Sequence, residues 1–142
     1  MSVTLDANVL VYSVNSSAEE FGAASALVQR LGEGPDLVYL FWPAIMGFLR
    51  IVSHPSILPR PLTAEVAQDA VGRLLARPHV RAPGEGEGFW DVYGATADRA
   101  RGNDVPDAHL VALMRQHGVK TIYTRDRGFR RFDGIDAVDP VG

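Results

Sequence analysis

A chain of 142 residues with 46% apolar side chains is the size of one ordinary domain and carries ample apolar surface for one core. It has no cysteine, which excludes disulfides and thiolate metal sites, and no run approaches the about 18–20 apolar residues that span a bilayer. The formal net charge of −3 is unpromising for a nucleic-acid binder, yet thirteen of the fourteen basic residues are Arg, and Arg125, Arg127, Arg130 and Arg131 crowd into RDRGFRR. The N-terminus MSVTLDANVL has neither the basic region nor the apolar stretch of a signal peptide, so a soluble, cytoplasmic domain with no membrane association is expected.

Along the chain, VTLD (3–6) is a short apolar run ending on an acid, and NVLVYSV continues it as a helix or a longer strand. Phe21, Ala24, Leu27, Val28 and Leu31 recur at a helical period within 18–34. DLVYLF (36–41) reads as a buried strand, and Pro43 then opens the apolar helix AIMGFLRIV, which ends near His54 and Pro55. A proline-punctuated loop (55–61) leads to a helix over 63–76. HVRA (79–82) reads as a short strand and PGEGEG (83–88) as a turn. Helices are expected over 89–101 and 105–118, the latter closed by Gly118. KTIYT (120–124) is a strand, followed by the Arg-rich turn and a last strand near IDAV (135–138). Strands alternating with helices predict an α/β fold with a mostly parallel sheet covered on both faces. The whole of 1–142 reads as a single domain without repeats or linkers.

Sites in such folds gather at the carboxyl ends of strands. Asp6 stands at the carboxyl end of the first strand and Asp126 just past the end of KTIYT. Asp107 lies in the first turn of the helix that feeds KTIYT. Each has an ordinary explanation: Asp6 as a helix cap, Asp126 as a turn residue, Asp107 as a complement to the helix dipole. Together they are more specific. Three converging carboxylates repel one another, and a hard divalent cation with oxygen ligands and retained waters relieves that repulsion. Such an ion lowers the pKa of a water and stabilises phosphoryl oxygens, which is the chemistry of phosphodiester hydrolysis.

The segments LDANVLVY, FLRIVSHP, PRPLT, GNDVPDAHLVAL and TIYTRDRGFRRF, in this order over nearly the whole chain, resemble the PIN-domain ribonucleases of the VapC toxin type. The resemblance implies a three-layer α/β/α PIN fold and a Mg²⁺- or Mn²⁺-dependent endoribonuclease. It also implies a homodimer that a cognate VapB-like antitoxin holds inactive. Carried over by position, Asp6, Asp107 and Asp126 are the catalytic, metal-binding acids, and Asn8 and Thr124 support the metal or its waters. RNA positioning falls to Arg50, Arg125 and Arg127, whose phosphate contacts carry no sequence information.

One departure stands out. Many PIN domains carry a glutamate just ahead of the F-L-R run, where this chain has Gly47, and no acid occurs between Asp36 and Glu65. Asp104 is the obvious substitute ligand. It is also read as the N-cap of the 105–118 helix, ahead of Pro106. His109 and His117 lie two turns apart on that helix, too far for one ion, and packing is the favoured role of His109. Phe41, Trp42, Phe89 and Trp90 read as core or interface residues. Two competing functions remain: a degenerate PIN domain that only binds RNA or a partner, which Gly47 favours, and a haloacid-dehalogenase-like phosphatase. The latter usually has a second Asp two residues after the first, where this chain has Asn8.

Overall fold

The computed structural model describes all of residues 1–142. Its centre is a five-stranded, wholly parallel sheet in the order β3-β2-β1-β4-β5, built from β1 (Ser2–Leu5), β2 (Leu37–Tyr39), β3 (Val80–Arg81), β4 (Thr121–Tyr123) and β5 (Asp136–Val138). The two central strands pair with Leu5 opposite Tyr123. Between them the connectivity changes direction: β1 leads outward to β2 and β3 on one side, and the chain returns to β4 and β5 on the other. In open α/β sheets this reversal point leaves a crevice at the carboxyl ends of the strands.

Parallel strands are covered on both faces and therefore read as apolar runs. On one face, α1 (Ala7–Tyr12), α2 (Phe21–Glu33), α3 (Trp42–Ser53) and α4 (Ala64–Leu75) bury Val3, Leu5, Leu27, Leu31, Ile45, Phe48 and Val52. On the other, α5 (Phe89–Thr96), α6 (Asp104–Gln116) and a 3-10 turn (Arg127–Arg131) enclose Phe41, Val111, Met114, Ile122 and Phe129. This is the three-layer α/β/α arrangement expected.

The ambiguous NVLVYSV segment is a helix, entered directly from β1. Two differences from the expected helix bounds bear on the site. The 89–101 helix ends at Thr96, where Ala97 leaves helical backbone geometry; the buried Thr96 hydroxyl accepts a hydrogen bond from Arg115 of α6, and Ala97 and Ala100 tuck against the same core. The chain there leaves the helix and turns back towards α6. The second difference concerns Asp104. Asn103 already has helical backbone angles, so α6 begins at Asp104, and no side chain caps it. The expectation that Asp104 caps this helix is therefore corrected: its carboxylate pairs instead with Arg131. Thr63, by contrast, does cap α4, its hydroxyl accepting from the Val66 amide at 3.2 Å.

Gly47 has a packing reason. A Cβ there would stand 3.2 Å from the Cβ of Ala7, so its missing side chain lets α3 lie close against α1 beside Asp6. Trp42 and Trp90 are exposed, by 42% and 80%, and do not belong to the core, whereas Phe41 is fully buried.

Candidate active site

At the crevice between β1 and β4, the backbone N–H of Asp6 donates to the Tyr123 carbonyl at 3.0 Å, stitching the two strand ends together. The buried Thr124 hydroxyl then donates to Asp6 Oδ2 at 2.9 Å and accepts from the Asp126 amide at 3.0 Å. One hydroxyl thus fixes the rotamer of the first acid and the turn that carries the third. The Asp126 carboxylate accepts from the Gly128 amide at 2.8 Å, starting the 3-10 turn. Asp126 is therefore both a turn residue and a wall of the crevice.

Asp107 completes the set from the first turn of α6. Its carboxyl is held above the ordinary range, chiefly by burial and next by the charge of Asp126, with Arg131 opposing. The Asp6 carboxyl is likewise raised, mainly by burial; the Thr124 hydrogen bond opposes this, and the charge of Asp126 adds to it. The three carboxylates therefore sense one another. They face a common space, not a common point, for no three acids or histidines stand close enough to chelate one ion in this side-chain arrangement. These acids offer oxygen donors only, which suits a hard divalent ion held by one or two carboxylates and completed by water.

Sequence reasoning missed Arg131 as a site residue. Its Nη2 lies 3.4 Å from Asp104 Oδ1 and 3.5 Å from Asp107 Oδ2, and its guanidinium stacks 4.6 Å from the Phe132 ring centroid. Gly128 makes this possible, since a Cβ there would stand 2.6 Å from Arg131 Nη1 and 3.0 Å from Asp126 Oδ1. The signal in the sequence was the glycine three residues ahead of an arginine, the reach of one 3-10 turn.

The other named residues fall differently. Asn8 is exposed in the first turn of α1, and Arg50 is exposed in the last turn of α3. Arg125 is tied to Glu20 at 3.1 Å and Asp139 at 3.3 Å. Arg127 lines a small concavity beside Asp126. His109 turns to Glu85 at 2.8 Å, and its hydrogen bond is the main cause that keeps the Glu85 carboxyl below its usual range.

The PIN-domain family model matches residues 3–135. The chain belongs to the PIN-domain family. It is 51% identical to ribonuclease VapC48 of Mycobacterium tuberculosis over 142 residues, covering 99% of this chain and 98% of the relative. The PIN fold is shared with the M. tuberculosis toxin VapC20, a sarcin-ricin-loop-cleaving protein (TM-score 0.68, 19% identity, 94% of this chain and 98% of that one). A similar likeness holds for VapBC2 of Rickettsia felis bound to a promoter DNA fragment (TM-score 0.68, 15% identity, 96% of this chain and 97% of that one). The PIN domain here is thus of the VapC type, and its crevice between β1 and β4 carries Asp6, Asp107 and Asp126.

Proposed function

We propose that the protein is a divalent-metal-dependent endoribonuclease toxin, with Mg²⁺ or Mn²⁺ as the ion, held in check by a VapB-like antitoxin. The observation that carries this reading is that Asp6, Asp107 and Asp126 face one crevice at the reversal point of the sheet, in a chain 51% identical to a named ribonuclease. A bound divalent ion would acidify a water and neutralise charge on the scissile phosphate. The chain's own contribution is positional. Asp6 and Asp107 would hold the ion, Thr124 fixes the angle of Asp6, and Asp126 would orient the attacking water. Arg131 neutralises Asp104 and Asp107 from the side, which leaves it beside the phosphate path.

Purified protein freed of antitoxin, incubated with total RNA, is expected to cut in Mg²⁺ and to stop in EDTA. Asp107→Asn is expected to nearly abolish cutting with the fold intact; cleavage at the wild-type rate by that variant would overturn the assignment. Binding of RNA without cutting would establish instead the degenerate, binding-only reading that Gly47 favours. Support for antitoxin control comes from a groove of about 480 Å³ between the helices of the first layer, lined by Leu10, Val14, Val28, Phe48 and Leu74. It suits the apolar face of a short helix. The exposed Trp42, Met46 and Trp90 support a homodimer.

A further inference from the structure

An RNA chain that presents one phosphate to the carboxylates runs on past them in both directions, and the surface offers it two unlike concavities. One lies beyond Asp126, holds about 90 Å³ and is lined by Arg125, Arg127 and Arg130 among others. The other holds about 290 Å³ and lies between the chain following α5 and the 3-10 turn. Asp104 and Arg131 line it, and Arg131 is also the guanidinium 3.5 Å from Asp107. The larger cavity therefore adjoins the carboxylate cluster at Arg131.

Its polar lining divides into committed and uncommitted groups. Asp104 and Arg131 pair with each other, and the Thr96 hydroxyl accepts from Arg115 at 3.1 Å. The side chains of Asp98 and Arg99, consecutive and exposed, make no side-chain hydrogen bond or ion pair within the protein. The cavity thus presents one free carboxylate, an acceptor only, beside one free guanidinium, a fork of donors. Ala100 and Phe132 supply its apolar lining.

We propose that this cavity binds the base next to the scissile phosphate and selects guanine through Asp98 and Arg99. Guanine alone among the RNA bases pairs two adjacent N–H donors (N1 and N2) on one edge with two adjacent acceptors (O6 and N7) on another. The first suits a carboxylate and the second a guanidinium. Adenine offers the carboxylate a single donor group, and the pyrimidines have no N7. The inference rests on the nuclease reading for its biological setting, but its ligand can be tested without cleavage.

In the first arm, 5′-GMP, AMP, CMP and UMP are titrated in EDTA and followed by amide NMR shifts. GMP is expected to bind tightest and to shift residues 96–104 and Phe132. Asp98→Asn and Arg99→Gln are each expected to weaken GMP on the order of 10-fold, towards the level of AMP. In the second arm, short RNAs differing only in the bases beside the cut are cleaved in Mg²⁺. Wild type is expected to prefer guanine on one side, the two variants to lose that preference mainly through KM, and Arg101→Gln, an exposed arginine outside the cavity, to keep it. Equal affinity for GMP and AMP, or shifts mapping elsewhere, overturns the subsite. So does an unchanged base preference in both variants. Absence of any metal-dependent cutting with GMP selectivity intact overturns the nuclease reading and leaves the subsite standing.

Discussion

Asp6 and Asp107 each carry a carboxyl raised above its ordinary value, with burial as the first cause in both. The folded state therefore binds these protons more tightly than the unfolded chain does. Their contribution to stability is full below the ordinary carboxylate range and is lost as pH rises through the raised values. The metal-free protein is accordingly expected to gain Tm on acidification just above the ordinary carboxylate range. Asp6→Asn, whose amide oxygen can still accept from Thr124, is expected to remove most of that gain and to raise Tm at neutral pH by a few degrees while abolishing cleavage. A thermal melt series against pH on both proteins checks the sign; a lower Tm for the variant at pH 7 would refute it. Added Mg²⁺ at 100 times its Kd is expected to stabilise wild type by about 2.7 kcal/mol. It is expected to stabilise Asp107→Asn far less, as seen in the same melts.

At the scale of elements, close approach of α1 and α3 explains what a motif comparison alone leaves odd. Gly47 in mid-helix gives up about 1 kcal/mol of helix propensity relative to Ala, yet a Cβ there meets the Ala7 Cβ at 3.2 Å. Gly47→Ala is expected to change stability by less than about 1 kcal/mol because the two effects oppose each other. Gly47→Leu is expected to cost about 1–3 kcal/mol through overpacking, read by urea denaturation. The elements themselves were largely legible in the sequence. Apolar runs such as TIYT and glycine stops such as Gly118 report local physics, and the strand ends carrying Asp6 and Asp126 followed from them. What was not legible depended on tertiary partners. Asp104 reads as a cap until Arg131 folds back over Gly128 to claim it. The turn of the chain after α5 is anchored by tertiary contacts, Thr96 to Arg115 of α6 and Ala97 and Ala100 to the core beside it.

Across the whole molecule, the arginines divide into those that hold the chain together and those free to face a polyanion. Arg125 joins Glu20, ahead of α2, to Asp139, after β5, so it closes the crevice side of the fold across distant parts of the chain. Arg127 makes no such pair and faces the concavity beside Asp126. Arg127→Ala is expected to weaken RNA binding uniformly across sequences and to reduce the slope of log affinity against log salt by about 1. Arg125→Ala is expected to lower Tm with little change in that slope. Filter binding at several salt concentrations separates the two; equal slopes for both variants would contradict this division. The reversal in strand order has a temporal meaning as well. β1 is made first but takes its second neighbour from β4, and the Thr124 hydroxyl that sets Asp6 lies 118 residues downstream. A growing chain therefore lacks the assembled carboxylate crevice until β4 and the turn after it have joined β1.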